Sequence, residues 1–128
     1  MKAEYSFDPD TAHGLMRVRM AGFFEPGDVA RFAADLMEQL AQLGRPPGEH
    51  LTLVDIRAMD IQSQQAVERF EQVLANSPMR SRRLAFVVGR SLSRMQIKRA
   101  ASSRDAGYFQ APERAEAWLL GKDDAAAA

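Results

Sequence analysis

The densest chemistry in this sequence is the run Gly89-Arg90-Ser91-Leu92-Ser93-Arg94. A glycine turn opening into a helix leaves the backbone N–H groups of residues 91–93 without intrahelical partners, beside the positive end of the helix dipole. Together with Arg90 and Arg94 and the hydroxyls of Ser91 and Ser93, those donors suit a small anion. The same residues equally suit a plain helix start, with Ser91 as N-cap and both arginines in water. Asp55 and Arg57 form a second candidate. Asp55 ends an apolar run, the place where open α/β sheets bind ligands, so its carboxylate could orient a ligand or act as a base. The alternative is that Asp55 braces its own loop, against Arg57.

Other chemistry is thin. His13 falls in a turn and His50 at a strand entrance; neither has the helical spacing of a metal pair, and both read as solvated loop histidines. There is no Gly-x-Ser-x-Gly elbow, phosphate-loop lysine or dinucleotide glycine fingerprint. With no cysteine in the chain there is no thiolate zinc site, disulfide framework or cysteine nucleophile. These absences argue against hydrolase, nucleotidase and dehydrogenase chemistry and imply no cofactor and no metal.

The elements that would position these groups follow from periodicity. Residues 4–8 and 15–21 alternate apolar and polar around the turn formers of Asp8 to Gly14, which predicts a hairpin. Val29, Phe32, Ala33, Leu36, Met37, Leu40 and Leu43 recur at helical spacing, predicting a helix over about 26–43 that stops at Gly44. Leu51 to Ile56 and Leu84 to Gly89 read as strands buried on both faces. A helix from Ser63 to Asn76 carries Ala66, Val67, Phe70, Val73 and Leu74 inward and ends before Pro78. A third helix over 91–101 is expected to turn Leu92, Met95 and Ala100 inward. Tyr108-Phe109 forms a last short strand, and a closing helix buries Ala115, Trp118 and Leu119. Strands alternating with helices imply a mixed, mostly parallel sheet of about five strands with about four helices in one α/β domain over 1–121, and residues 122–128 read as a disordered tail.

Composition narrows the partners. Seventeen basic and seventeen acidic side chains cancel, so no overall field draws the chain to nucleic acid or an anionic membrane. The segment from Arg80 to Arg104 is basic while the first 78 residues are net acidic. A solvated face explains this most simply, and a basic face meeting an acidic one on a second subunit explains it as well. Without reading aromatics, nucleic acid is not expected. No apolar run is long enough for an integral membrane span, and the N-terminus lacks the apolar stretch of a signal peptide, so the chain reads as cytoplasmic. The methionines Met16, Met20, Met37, Met59, Met79 and Met95 fall mostly on apolar faces, as core filler or as the lining of a carrier pocket.

The order of these pieces resembles the SpoIIAA-like family: the hairpin, Gly22-Phe23-Phe24 into a helix, Leu53-Val54-Asp55, Leu84-Ala85-Phe86-Val87-Val88-Gly89, and the ending Phe109…Ala115-Glu116-Ala117-Trp118-Leu119. That family shares its fold with STAS domains, the anti-sigma-factor antagonists, and is similar in architecture to CRAL-TRIO lipid carriers. The resemblance implies a non-catalytic regulatory module working through an unidentified protein partner or a homodimer. Its alternative is a binder of a small anionic or amphipathic, lipid-like or nucleotide-like ligand at the carboxyl ends of the strands. Anti-sigma-factor antagonists carry an Asp-Ser-Ser-Gly stretch whose serine is phosphorylated. Here the region reads Ala58-Met59-Asp60-Ile61-Gln62-Ser63-Gln64-Gln65-Ala66, where only Asp60 and Ser63 echo it, so Ser63 is the one position that corresponds to the phosphosite.

Overall fold

A computed structural model describes residues 1–46, 48–76, 80–89, 91–102 and 104–121, with residues 91–93 as backbone alone. Five strands, β1 (Glu4–Asp10), β2 (Leu15–Gly22), β3 (Leu51–Met59), β4 (Arg83–Val87) and β5 (Ala106–Phe109), form one sheet in sequential order. Strands β1 and β2 pair antiparallel and all later neighbours pair parallel. Helices α1 (Pro26–Leu43), α2 (Gln64–Ala75) and α3 (Ser91–Ala100) are the crossovers, and α4 (Pro112–Leu119) closes the chain. Because each crossover joins adjacent strands in the same direction, a single hand of crossover puts α1, α2 and α3 on one face.

Strand alternation then divides the core. Met16, Val18, Met20, Val54, Ile56, Leu84 and Phe86 pack with Phe24, Phe32, Leu36, Phe70 and Ala100 on the three-helix face. Leu15, Leu51, Leu53, Ala85, Val87 and Phe109 pack with Ala115 and Leu119 of α4 on the other. Proline at position 9 is tolerated in β1 because an edge strand leaves one side of its backbone unpaired.

Local signals set the boundaries. Pro26 opens α1, the Asp28 carboxylate accepts the Glu25 N–H at 2.9 Å, and Gly44 ends the helix in the left-handed conformation. At Gly22, with φ of 84°, a Cβ would stand 2.2 Å from the Lys2 carbonyl oxygen, so only glycine lets the N-terminus pass there. Two expected inward residues are instead exposed. Met37 lies at the edge of the α1 stripe, one position beyond buried Leu36. Met95 is 66% exposed because the inward face of α3 runs through Ile97 and Ala100. The placement expected for Leu92, and that of Met79, lies outside the described residues, as do the stop at Ser77-Pro78 and the tail 122–128.

Candidate functional site

Of the predicted residues whose side chains are described, Asp55 and Arg57 lie in the carboxyl-terminal half of β3 and Arg94 in the first turn of α3. Between β2 and β3 the register slips, with Arg19 opposite Asp55 but Ala21 opposite Ala58, so β3 carries the extra residue. This bulge re-aims the side chains after Asp55. Arg57 folds back on Asp55, donating from Nε to Oδ1 at 3.0 Å and from Nη2 to Oδ2 at 2.7 Å, while its backbone N–H donates to Oδ1 at 3.1 Å. Burial alone would push the Asp55 carboxyl up; the hydrogen bonds and charge of Arg57, with Arg19 beyond, hold it below the usual carboxylate range. The pair thus satisfies itself, in the bracing arrangement.

The loop after β4 adjoins this bulge, since a Cβ on Gly89 would stand 3.8 Å from the Arg57 carbonyl oxygen. Arg90 lies outside the described residues, and so do the side chains of Ser91 and Ser93. Arg94 leaves its Nε buried with no hydrogen-bond partner among the described residues. Ser63 caps α2, its Oγ accepting the Ala66 N–H at 3.1 Å.

Gln62 is the residue that sequence reasoning missed. Its Nε2 donates to the carbonyls of Gly22 at 2.9 Å and Asp60 at 2.6 Å, and its Oε1 accepts the Phe24 N–H at 2.8 Å. Its backbone N–H donates to Gln96 Oε1, and Gln96 Nε2 donates to its carbonyl, both at 2.8 Å. One buried amide thereby ties the loops after β2 and β3 to α3. The only signal in the sequence is a polar residue next to an N-cap, which is too common to single it out. Around this clamp three segments lie side by side: the Phe23 N–H donates to the Met1 carbonyl at 3.0 Å and the Asp60 N–H to the Gly22 carbonyl at 3.1 Å. They hold Met1, Phe23 (39% exposed) and Ile61 (53% exposed) at the surface beside the start of α2.

At the opposite ends of the strands one expectation is corrected. His50 is 4% exposed, not solvated, because this residue just before β3 is paired with Arg82 through its carbonyl and lies near Arg104, which bonds the Ser81 carbonyl. Burial, and then the nearby Arg104 charge, push its imidazole below the ordinary value. His13 is exposed and pairs with Asp10 at 2.8 Å. Among the described residues no three potential metal ligands come together, and no helix is long and apolar enough to cross a membrane.

No family model matches the sequence, and no curated protein matches it either. Solved structures do. The fold is similar to that of an uncharacterized protein with a SpoIIAA-like fold from Shewanella loihica PV-4, at a TM-score of 0.67 and 18% identity over 91% of this chain and 93% of that one. It is similar also to an anti-sigma factor antagonist from Mycobacterium paratuberculosis, at a TM-score of 0.66 and 10% identity over 92% and 94% of the two chains. With the sheet order, the mixed pairing and the four helices, these likenesses establish that the chain has the SpoIIAA-like fold.

Proposed function

We propose that the chain is a non-catalytic, cytoplasmic regulatory module that works by docking a protein at the carboxyl ends of its strands. The observation that carries this reading is the exposure of Met1, Phe23 and Ile61 on three adjoining segments, Met1 paired to Phe23 through the backbone and the loops after β2 and β3 tied by Gln62, with Ser63 next in the chain. Large apolar side chains cost free energy in water, and their exposure on neighbouring hydrogen-bonded segments suits a protein contact. The likeness to an anti-sigma factor antagonist supports the same class. A pull-down from the native host tests it. Phe23→Ser with Ile61→Ser should lose the captured partner while keeping the wild-type melting temperature to within a few degrees; unchanged capture would sink the reading. Sedimentation over a range of concentrations separates a homodimer through this face from a different partner.

The Arg94 Nε, buried with no partner among the described residues, favours a second reading, a small anion held at this same end of the sheet. Arg94→Ala should then remove any stabilisation that sulfate gives the wild type, and equal thermal shifts in both proteins would reject it.

A further inference from the structure

Between the sheet and α1–α3 lies a cavity of about 70 Å³, which runs from Met59, near the docking face just described, to Thr52, Ser81 and Arg104 at the amino ends of the strands. On this measure a single water needs about 10–15 Å³, so the space holds several methylene-sized groups. Its walls are almost wholly apolar, among them Val54, Phe70, Leu84 and Phe86. Leu40, Val73 and Leu74 line it while remaining only half-buried, which opens it between α1 and α2.

One end differs. Thr52 at the start of β3, Ser81 just before β4 and Arg104 just before β5 all line the cavity at the amino ends of the strands. Arg104 is half-buried there, gives one Nη2 hydrogen bond of 2.9 Å to the Ser81 carbonyl, and has no carboxylate partner among the described residues. His50 stands beside the same group: its carbonyl accepts the Arg82 N–H at 2.8 Å, and its buried Nε2 has no partner among the described residues. A half-buried guanidinium with no counter-charge, next to an orphaned imidazole nitrogen, is costly unless an acceptor arrives. Burial together with Arg80 pulls the Arg104 guanidinium below its usual range, the signature of a cation short of anionic company.

We propose that this cavity binds a small amphipathic carboxylate, with its chain among Val54, Phe70 and Phe86 and its carboxylate on Arg104. Bidentate pairing with the guanidinium supplies the counter-charge, and the apolar walls replace water around the chain. The ligand is a free acid of modest length, since the cavity has no room for a whole lipid.

Isothermal titration of the full chain with hexanoate and with 1-hexanol tests the assignment, the two differing only in the charged end. Hexanoate should bind about tenfold or more tighter than hexanol, the size of one charge-assisted hydrogen bond. Arg104→Gln should remove that preference, Arg104→Lys should restore part of it, and Val73→Phe, which fills the cavity from α2, should weaken both ligands. Co-sedimentation with phosphatidylglycerol vesicles should be absent. No hexanoate binding by the wild type, equal affinity for acid and alcohol, indifference to Val73→Phe, or binding to vesicles in place of the free acid would each overturn the proposal.

Discussion

His50 converts burial into a pH dependence. Its folded-state value lies below the 6.5 of a free imidazole, so on acidification the unfolded chain takes up this proton first. Stability is therefore complete above about pH 6.5 and falls as the pH drops from there through the folded value, in the direction that linkage requires. Urea denaturation at a series of pH values should show this loss in the wild type and a flatter profile in His50→Leu; parallel profiles would mean that the imidazole titrates alike in both states. Ser63 tests a different single group. As the N-cap of α2 its hydroxyl is worth about 1 kcal/mol, so Ser63→Ala should destabilise by that amount while Ser63→Asp, an equivalent cap, should not. Because the Asp-Ser-Ser-Gly pattern is absent, both variants should capture a partner equally in a pull-down, and loss with aspartate alone would revive a phosphorylation switch.

Helix α4 shows what an element takes from its surroundings. The Trp118 ring lies 5.5 Å from Phe109 and under the Arg83 guanidinium at 5.2 Å, while Arg83 donates to the Trp118 carbonyl at 2.8 Å. The ring lies over Gly107, where a Cβ would come within 2.7 Å of Phe109 Cε2 and 3.0 Å of Trp118 Cζ3. Gly107→Ala should thus cost about 1–3 kcal/mol by overpacking. The indole is only half-buried, so Trp118→Ala should cost about 2–3 kcal/mol, below the 3–5 of a fully buried tryptophan. In the double variant the costs should fall short of additivity, since removing the indole relieves part of the clash; strict additivity in chemical denaturation would show that the two do not touch. The strands and helices themselves were legible because Leu51–Ile56, Leu84–Val88 and the α1 stripe repeat at the period of the structure they form. Helix rotation was less so. A residue flanking a stripe, such as Met37 or Met95, is apolar without being inward, and only the neighbouring element decides. The burial of His50 and the clamp of Gln62 depend on segments more than 30 positions distant, Arg82 and Arg104 for the first and Gly22 and Gln96 for the second. No local pattern encodes that.

At the scale of the whole molecule the two cores are built on opposite faces of the same strands. Leu53 faces α4 and Val54 faces the three helices; Ala85 and Phe86, then Gly107 and Tyr108, divide in the same way. Detaching α4 would expose Leu15, Leu51, Leu53, Ala85 and Val87 to water at about 25 cal/mol for each Å² of apolar surface uncovered, a loss that the sheet cannot recover from its other face. Arg17 strengthens the connection, reaching from β2 to Glu116 of α4 at 2.5 Å and to Asp10 of β1 at 3.5 Å. The chain should therefore unfold in one cooperative step. Its single tryptophan lies in α4, whereas most of the helix lies on the opposite face, so the two layers carry separate probes. Tryptophan fluorescence and far-ultraviolet circular dichroism should follow the same urea transition, with the same midpoint and slope. A fluorescence change at lower urea than the loss of helix would mean that α4 detaches on its own and that the two cores are energetically independent.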